Sequence, residues 1–385
     1  MQNFQFFNPT KILFGKGQIA LLNQEIPKGS RVLITYGGGS IKKNGVHAQV
    51  INALKGYEVS EFGGIEPNPT YETLMLAVDI VKAEGIDFLL AVGGGSVIDG
   101  TKFIAAAAVY EGEPWEILSK RGAGIKEALP FGSVLTLPAT GSEMNMGSVV
   151  TRQSTKDKLA FMHPAVFPVF SILDPETTYT LPPRQIGNGI VDAFTHIMEQ
   201  YMTVRTGTDV QDRLAEALLL TLIHEGPKAL KDPQNYEARA TLMWAATLAL
   251  NGLIGAGVPH DWATHMVGHE ITALHGLDHA QTLAIILPAM LTVRLKEKSP
   301  RLAQYAQRVW GITTGSEEEM AIASIQKTRE FFESVGVKTR LSDYQISSDA
   351  IPALLNQLNR HHMIALGENQ SVTLEVSQKV LETAI

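Results

Sequence analysis

The sequence of 385 residues contains no cysteine. Without thiolates, a cysteine-type zinc site is excluded, and a bound metal ion must be held by oxygen and nitrogen ligands such as carboxylates and imidazoles. The absence of cysteine also agrees with a cytoplasmic location, because disulfides are characteristic of oxidising compartments.

Long apolar runs are lacking as well. A membrane span needs roughly 18 consecutive apolar residues, but FIAAAAV is short and LAIILPAML is interrupted by Pro288. The N-terminal MQNFQFFNPTK has no basic region followed by a long apolar segment, so it does not resemble a signal peptide. We therefore expect no association with a membrane.

Positive charge is in the minority. The 32 basic and 39 acidic residues give a formal net charge of −7, which argues against broad binding to nucleic acids or anionic membranes. The composition, 45% apolar and 18% charged, is that of an ordinary globular protein, and the length favours two domains. Small molecules are the expected partners.

The chain changes character near its middle. Residues 31 to about 175 alternate β-rich runs with amphipathic helical segments such as YETLMLAVDIVKAEG, a pattern typical of a parallel α/β sheet. The predicted strands are RVLITY, YEVSEF, DFLLAV, FGSVLTL and VFSIL. After the proline-rich TLPPR the pattern is almost wholly helical. We predict an α/β domain at 1–180 and an all-α domain at 181–385.

Five of the eleven histidines are crowded into a short segment. They are His260, His265, His269, His275 and His279. Imidazole is the commonest metal ligand and a proton carrier near neutral pH, so the crowding indicates a metal site, a proton relay or both. Spacing alone does not say which of the five bind metal, and a single buried histidine is more often a hydrogen-bonded core residue.

A second pair of candidate ligands, upstream of the histidine cluster, also indicates a metal site. Asp192 and His196 stand four residues apart in GIVDAFTHIMEQY, whose helical periodicity places both on one face. Together with the cluster they can supply one aspartate and three histidines to one divalent ion, either Zn²⁺ or Fe²⁺. Such a ligand set leaves a net charge of about +1, so the ion keeps its Lewis acidity. The HEITA segment lacks the second histidine of a metalloprotease motif, because Ala273 occupies that position.

Two runs of glycine each follow a predicted strand. In the second run, Gly93, Gly94, Gly95 and Ser96 lead into a helix, where glycine permits close approach of a ligand and free N–H groups attract phosphate. A capping box formed by Ser96 and Asp99 is the alternative structural explanation. Neither run is G-x-G-x-x-G, because Lys42 and Ile98 occupy the last position, so the Rossmann fingerprint is absent.

The first glycine run bears on the choice of nucleotide. An acidic residue here would bind a ribose 2′-hydroxyl and repel a 2′-phosphate. The sequence instead has Gly37, Gly38, Gly39 and Ser40, followed by Lys42 and Lys43. Open backbone, a hydroxyl and two cations favour NADP over NAD. The alternative is that the two lysines are solvated surface residues.

Four segments resemble the iron-dependent alcohol dehydrogenases, in particular the butanol-dehydrogenase-like branch of NADPH-dependent aldehyde reductases. They are GGGSVID, LPATGSEMN, LDPETTYTLPPRQIGNGIVDAFTHIMEQY and ATHMVGHEITALHGLDHAQTLAIILP. They occur in order over nearly the whole chain. The resemblance implies a dehydroquinate-synthase-like fold, with an α/β nucleotide domain, a helical domain and an active site in the cleft between them.

The resemblance also implies roles for individual residues. The metal ligands would be Asp192, His196, His265 and His279, and His269 would line the substrate side and relay a proton. Gly94, Gly95, Ser96 and Asp99 would lie along the pyrophosphate and nicotinamide ribose. Thr136, Pro138, Thr140 and Ser142 would line the nicotinamide side. Two departures from the family pattern are a shorter LPATGSE stretch and Asp278 beside His279, which would act as an outer partner of the metal site.

The expected activity is a metal-dependent transfer of hydride between NADP(H) and short to medium aldehydes or primary alcohols. A dehydroquinate-synthase-like lyase is the alternative within the same fold. Such a lyase would need many basic residues to bind an acidic phosphorylated substrate, and the sequence has few near the histidine cluster. A nucleotide sensor or metal-storage protein without turnover is the alternative from another class. By resemblance, we expect a homodimer formed through an N-terminal edge strand.

Overall fold

The computed structural model describes residues 1–204 and 207–385. Its strands are β1 (Lys11–Phe14), β2 (Arg31–Tyr36), β3 (Glu58–Phe62), β4 (Phe88–Gly94), β5 (Phe131–Leu137), β6 (Gly147–Arg152), β7 (Asp157–Met162), β8 (Phe170–Leu173), β9 (Ala365–Leu366) and β10 (Val372–Thr373). All five strands that the sequence predicts are present, with ends that differ by a few residues.

Helices dominate the second half of the chain, as the sequence predicts. The first six are α1 (Leu22–Glu25), α2 (Ser40–Lys43), α3 (Val46–Ala53), α4 (Tyr71–Glu84), α5 (Gly95–Ala107) and α6 (Glu116–Ser119). The remaining helices are α7 (Pro183–Tyr201), α8 (Asp209–Lys231), α9 (Tyr236–Ala249), α10 (Ala263–His275), α11 (His279–Val293), α12 (Leu295–Arg308), α13 (Glu317–Ser334), α14 (Ile351–Arg360) and α15 (Leu374–Thr383).

Six strands form one sheet in the order β1-β8-β5-β4-β2-β3. Every neighbouring pair in this sheet is parallel, which confirms the predicted parallel α/β architecture. The chain passes from β2 to β3 on one side and then returns to place β4 on the other side of β2. Ligands of open α/β sheets bind outside the carboxyl ends of the strands at such a reversal, which here lies between β2 and β4.

Both faces of this sheet are buried. On β2, Leu33 packs in one apolar cluster with Leu74 of α4, whereas Val32 and Ile34 pack in a second cluster with Val46 of α3. Alternate residues of a strand point to opposite faces, so the two clusters cover the two sides of the sheet. Near-continuous apolar strands such as RVLITY are typical of this doubly covered arrangement.

Three features are absent from the sequence prediction. They are the short strand β1, the antiparallel hairpin β6–β7, and the two-residue strands β9 and β10 within the helical half. Strands of two to four residues contain too few positions to show a period. The hairpin forms a sheet of its own and carries many polar side chains, so its sequence lacks the apolar run of a buried strand.

The chain forms two compact units. The sheet unit consists of Phe7–Leu181 and Pro233–Thr247, and the helical unit of Met1–Phe6, Pro182–Asp232 and Leu248–Ile385. In the helical unit, an apolar cluster joins side chains of α10, α11, α14 and α15. The predicted domain boundaries, 1–180 and 181–385, stay a prediction. Within the described residues, no helix has the length and apolar character needed to cross a bilayer.

Candidate functional site

Helix α7 presents a row of polar side chains in a fully buried environment. Asp192 and His196 lie one turn apart, with 3.8 Å between Asp192 Oδ1 and His196 Nε2, and their side chains are 4% and 5% exposed. Buried polar groups of this kind are retained only when they are hydrogen-bonded or bind an ion. The α7 residues therefore form one wall of a candidate metal centre.

Helices α10 and α11 form the other walls. His265 and His269 are one turn apart on α10, and His279 is the first residue of α11. The two helices approach closely at Gly268, where an added Cβ would lie 2.9 Å from Thr282 Oγ1. The first turn of α11 is fixed by a capping box, in which the Asp278 side chain and Gln281 satisfy each other's backbone groups. These features place His279 beside the histidines of α10.

The four residues proposed as metal ligands converge. Potential ligand atoms of Asp192, His265 and His279 all lie within 4.8 Å of one another, and His279 Nε2 is 3.6 Å from Asp192 Oδ1. The His196 ring stacks on the His265 ring with 4.7 Å between centroids. Asp192, His265 and His279 thus share one point, and His196 adjoins two of them. One carboxylate and three imidazoles are a donor set that fits Zn²⁺ or Fe²⁺. The geometry thus supports the ligand assignment, which remains a proposal.

The electrostatics also suit a metal. Burial, together with the neighbouring His265, holds the pKa of His196 well below its usual range. A neutral imidazole offers a lone pair, whereas a protonated one cannot bind a cation. The buried His196 is therefore in the protonation state that a metal requires.

The five crowded histidines do not all belong to this centre. His265, His269 and His279 are neighbours, with the His269 ring 6.3 Å from His265 and 5.1 Å from His279 between centroids. His260 instead contacts the backbone oxygen of Gly255 at 3.0 Å. His275 is exposed in the last turn of α10. The density of histidines in the sequence therefore overstates the number at the site.

Sequence reasoning missed Glu199. Its carboxylate contacts His265 Nδ1 and accepts a 2.6 Å hydrogen bond from the backbone N–H of Thr264. Glu199 follows Asp192 and His196 at helical spacing on α7, a signal that was available in DAFTHIME. Burial, with a contribution from Asp261, raises the pKa of Glu199 well above its usual range, and a cation bound at the histidines would oppose this shift by favouring the carboxylate.

Trp262 is a second residue that the sequence did not indicate. It precedes α10 with a φ of 61°, in the left-handed region that bulky residues rarely adopt. Its ring lies edge-on to His265 at 5.2 Å and to His196 at 6.2 Å between centroids. The indole thus covers one side of the histidine pair and supports the orientation of both rings.

The two glycine runs meet at the carboxyl ends of β2 and β4. Gly37 to Gly39 follow β2, and Gly93 to Gly95 lie at the junction of β4 and α5. The Val97 side chain adjoins both runs, since a Cβ on Gly37 would lie 3.7 Å from it and one on Gly93 only 2.5 Å. Both runs therefore border the same region, at the point in the sheet where ligands bind.

A third segment adjoins the second run. A Cβ on Gly95 would lie 2.3 Å from Thr140 Oγ1, and one on Gly94 would lie 3.0 Å from the Leu137 side chain. Thr136 ends β5 with Leu137, and Pro138 and Thr140 follow them. The segment proposed to line the nicotinamide side therefore lies against the glycine-rich loop, and glycine is required there by the close contact.

Asp99, Ser142 and the unpredicted Lys102 form a network below these loops. Ser142 Oγ donates a 2.6 Å hydrogen bond to Asp99 Oδ1, and the Val149 N–H donates to Asp99 Oδ2 at 2.9 Å. Lys102 Nζ donates to Ser142 Oγ, Asn145 Oδ1 and the Gly147 backbone oxygen at 2.8, 2.9 and 2.7 Å. Burial lowers the pKa of Lys102 to about 8. These side chains hold the loop segments together.

The capping-box explanation for Ser96 and Asp99 is wrong. Helix α5 begins at Gly95, its N-cap residue is Gly94, and no side chain caps it. Ser96 Oγ instead accepts a 3.4 Å hydrogen bond from the Asn68 backbone N–H. The side chain of Asn68 in turn accepts a 2.8 Å hydrogen bond from Lys158 Nζ. A lysine from β7 is thus brought near the start of α5, which spacing in the sequence did not indicate.

Lys42 and Lys43 differ in their surroundings. Lys42 Nζ lies 2.9 Å from Glu61 Oε2 and 4.8 Å from the centre of the Tyr36 ring, whereas Lys43 is exposed at the end of α2. The carboxylate of Glu61 also contacts His47 Nε2 at 2.9 Å. Of the two lysines after the first glycine run, Lys42 is therefore already paired with a carboxylate of the protein.

A doubly covered parallel sheet, glycine-rich strand ends and an aspartate–histidine centre on helices together identify the class of protein to which the chain belongs. The chain belongs to the iron-containing alcohol dehydrogenase family, since the model described as "Iron-containing alcohol dehydrogenase" matches residues 9–175 and the one for the family's C-terminal part matches residues 187–385.

Particular relatives are highly similar. The NADPH-dependent aldehyde reductase YqhD of Escherichia coli is 61% identical, covering 100% of both chains, and its crystal structure superposes with a TM-score of 0.99 over 100% of this chain and 99% of that one. The probable NADH-dependent butanol dehydrogenase 1 of Bacillus subtilis is 46% identical over 93% of each chain. The structure of NADH-dependent butanol dehydrogenase A from Thermotoga maritima is 36% identical, with a TM-score of 0.95 over 100% of this chain and 99% of that one.

Proposed function

We propose that the protein is an NADPH-dependent aldehyde reductase that works with one divalent metal ion, and that it oxidises primary alcohols in the reverse direction. The observation that carries this proposal is the convergence of Asp192, His196, His265 and His279 in a member of the iron-containing alcohol dehydrogenase family. The 61% identity to an NADPH-dependent aldehyde reductase supports the direction and the substrate class. We expect short to medium aldehydes as substrates.

Asp192, His196, His265 and His279 would hold Fe²⁺ or Zn²⁺. The ion would supply Lewis acidity, which polarises the aldehyde carbonyl and makes its carbon a better hydride acceptor. Asp192 contributes one negative charge and the histidines bind as neutral ligands, so the ligand set leaves part of the ion's charge available. Asp192, His196 and His265 are buried, which limits the access of bulk water to these ligands.

His269 is proposed as the residue that returns the proton. Its ring lies 5.1 Å from that of His279 between centroids, one helical turn beyond His265 on α10. An imidazole both donates and accepts protons, so His269 can give a proton to the product oxygen. Replacement of His269 would slow turnover without removing a metal ligand.

The glycine-rich segments are proposed to bind NADP(H), which supplies the hydride. Gly37, Gly38, Gly39, Ser40 and Lys43 would surround the 2′-phosphate. Gly94, Gly95, Ser96 and Asp99 would lie along the pyrophosphate and ribose, and Thr136, Pro138, Thr140 and Ser142 on the nicotinamide side. The support is that the first segment has no carboxylate and that the second lies against Thr140. Asp99 and Ser142 would act mainly through the loop positions that they stabilise, because each is hydrogen-bonded to the other.

The lyase alternative receives no support from the relatives reported above, which are named as an aldehyde reductase and butanol dehydrogenases. A sensor or storage protein remains distinguishable by assay, since only an enzyme consumes NADPH. A homodimer and a cytoplasmic location also stay predictions of this proposal.

The test is NADPH oxidation at ~340 nm with butanal, using protein stripped with a chelator and then resupplied with Zn²⁺ or Fe²⁺. NADH is measured in parallel. We expect no activity without metal, restored activity with one of the two ions, and a preference for NADPH. Tight NADPH binding without oxidation for any metal or aldehyde would contradict the enzymatic proposal and favour a sensor.

A further inference from the structure

Glu199 occupies an unusual position for an acidic residue. It is 3% exposed and lies within the helical unit, away from bulk solvent. One side of its carboxylate accepts the Thr264 N–H at 2.6 Å, and the other contacts Nδ1 of His265. A buried carboxylate is costly unless its charge is compensated, so these partners require an explanation beyond packing.

The position of Glu199 on α7 connects it to the metal centre. Asp192, His196 and Glu199 are separated by four and then three residues, the spacing that aligns side chains along one face of a helix. Two of them are proposed ligands of the ion. The third reaches a different ligand, His265, on the neighbouring helix α10.

The contact determines which nitrogen of His265 faces the metal. An imidazole has two ring nitrogens on opposite sides, and a metal can bind only the one without a proton. A carboxylate accepts hydrogen bonds, so its contact with Nδ1 keeps the proton on that atom. Nε2 is then the nitrogen that His265 can offer to the ion, and a ring nitrogen of His265 lies within 4.8 Å of ligand atoms of Asp192 and His279.

The net charge of the proposed metal site also supports a link between Glu199 and the ion. A divalent ion with Asp192 and three neutral histidines carries one net positive charge in a buried place. Only the imidazole ring of His265 would separate the Glu199 carboxylate from the ion. The negative charge of this carboxylate brings the net charge of the ion, its ligands and Glu199 to zero. Compensation of this kind reduces the cost of burying both the ion and the carboxylate.

We propose, on the basis of the metal site in the proposed function, that Glu199 is the positioning residue of that site: its carboxylate fixes the proton of His265 on Nδ1 and directs Nε2 toward the ion. Glu199 touches neither the substrate nor the ion in this role. Its effect is on the affinity for metal, because histidine ligands whose second nitrogen is fixed by a carboxylate are better oriented and more basic.

A purely structural role must be separated from this one. The bond from Thr264 satisfies a backbone N–H in the first turn of α10, so Glu199 also stabilises the start of that helix. The change Glu199→Gln separates the two roles. Glutamine has nearly the same size and keeps one oxygen for the Thr264 N–H, but its NH₂ group then faces His265. The amide would favour the tautomer with the proton on Nε2, which cannot bind metal.

The experiment compares Zn²⁺ affinity of the full-length wild type, Glu199→Gln and a matched control, by competition with a chromophoric chelator. The control is Glu216→Gln on α8, a change in another buried glutamate, whose carboxylate accepts from Tyr201, Gln304 and Arg308. We expect Glu199→Gln to bind Zn²⁺ about 10–100-fold more weakly and Glu216→Gln to bind like the wild type. Equal affinities of Glu199→Gln and wild type would overturn the proposal.

Two further measurements keep the outcome interpretable. The melting temperature of each metal-free protein reports the helix-stabilising role, so a loss of metal affinity together with a melting temperature like that of Glu216→Gln supports positioning. If Glu199→Gln does not fold, long-range ¹⁵N–¹H spectra of zinc-loaded wild type with labelled histidine decide: we expect the His265 proton on Nδ1, and a proton on Nε2 would refute the proposal.

Failure of this inference differs from failure of the proposed metal site. His265→Ala is measured in parallel as a test of the ligand set. If the wild type bound Zn²⁺ no better than His265→Ala, both the site and the role of Glu199 would be wrong. If the wild type bound tightly and Glu199→Gln did too, only the role of Glu199 would be wrong.

Discussion

Individual histidines in this protein differ because their surroundings differ. The sequence presents five of them in one segment, but only those that lie close to Asp192 and to one another are suited to hold a cation. His260 and His275 have the same chemistry and lie elsewhere, against backbone in one case and at an exposed helix end in the other. This contrast permits a matched comparison on a single helix.

His265→Ala should abolish both metal retention and turnover while NADPH binding stays close to wild type. The reason is that the change removes one of four proposed ligands but leaves the glycine-rich loops intact. His275→Ala, on the same helix, is the control and should retain full metal. Metal content is measured after dialysis, with NADPH binding followed by fluorescence. A full metal complement in His265→Ala would show that the ligand assignment is wrong.

His196 should make the metal-free protein less stable in acid. Its pKa is lowered by burial in the folded state, so below about pH 6.5 the unfolded chain binds a proton that the folded protein does not. Stability from this residue is therefore complete above pH 6.5 and is lost as the pH falls.

The measurement is the free energy of unfolding in urea for metal-free wild type and His196→Gln. Glutamine does not titrate, so the difference between the two proteins isolates His196 from other groups such as Glu199. We expect the difference to change by about 1 kcal/mol between pH 7.5 and 5.5, with wild type losing more stability. A difference that does not vary with pH would contradict the lowered pKa.

Among the elements, α7 has the tightest constraint. At Gly187 an added Cβ would lie 2.2 Å from the backbone oxygen of Val335, so the helix packs directly against main chain there. A backbone oxygen cannot move aside as a flexible side chain can. The absence of a side chain at this point sets the position of α7, and with it the positions of Asp192 and His196.

Gly187→Ala should therefore destabilise the protein by about 3 kcal/mol or more and weaken metal binding. Gly100→Ala on α5 is the control, because its Cβ would meet the flexible end of the Leu74 side chain at 2.8 Å rather than backbone. Both changes gain about the same helix propensity, roughly 1 kcal/mol, so their difference reports the clash. Unfolding in urea measures both. Equal stabilities would mean that α7 can shift without cost.

At the scale of the whole molecule, β1 is the strand that is suited to pair with a second copy of the chain. It forms one edge of the six-stranded sheet. Lys11 and Gly15 donate their N–H groups to Val169 and Leu173 beside β8. Since N–H groups alternate in direction along a strand, those of Ile12 and Phe14 point away from the sheet. Such an edge can pair with a second copy of the chain.

We predict a homodimer that depends on this edge. Ile12→Pro removes an outward N–H without removing a bond to β8, and it should shift sedimentation velocity toward the monomer. Lys11→Ala is the control, because it alters a side chain on the same strand and leaves the backbone unchanged. A dimer unaffected by Ile12→Pro would place the interface elsewhere, and a monomeric wild type would refute the prediction of a homodimer.

The sequence by itself determined the features that depend on local pattern. Periodicity predicted the five strands and the helical second half, and the resemblance of four segments indicated the iron-containing alcohol dehydrogenase family, which the comparisons confirm. The spacing of Asp192 and His196 also placed them on one helical face. These properties follow from side chains that are close in the chain.

Only the tertiary structure decided which distant residues meet. It selected three of the five crowded histidines, placed Thr140 against Gly95, and brought Glu199 to His265. The capping box considered as an alternative for Ser96 and Asp99 does not form, because α5 begins at Gly95 and the Ser96 hydroxyl contacts the Asn68 backbone. Such contacts depend on how helices and strands pack, and packing between residues far apart in the chain leaves no periodic trace in the sequence.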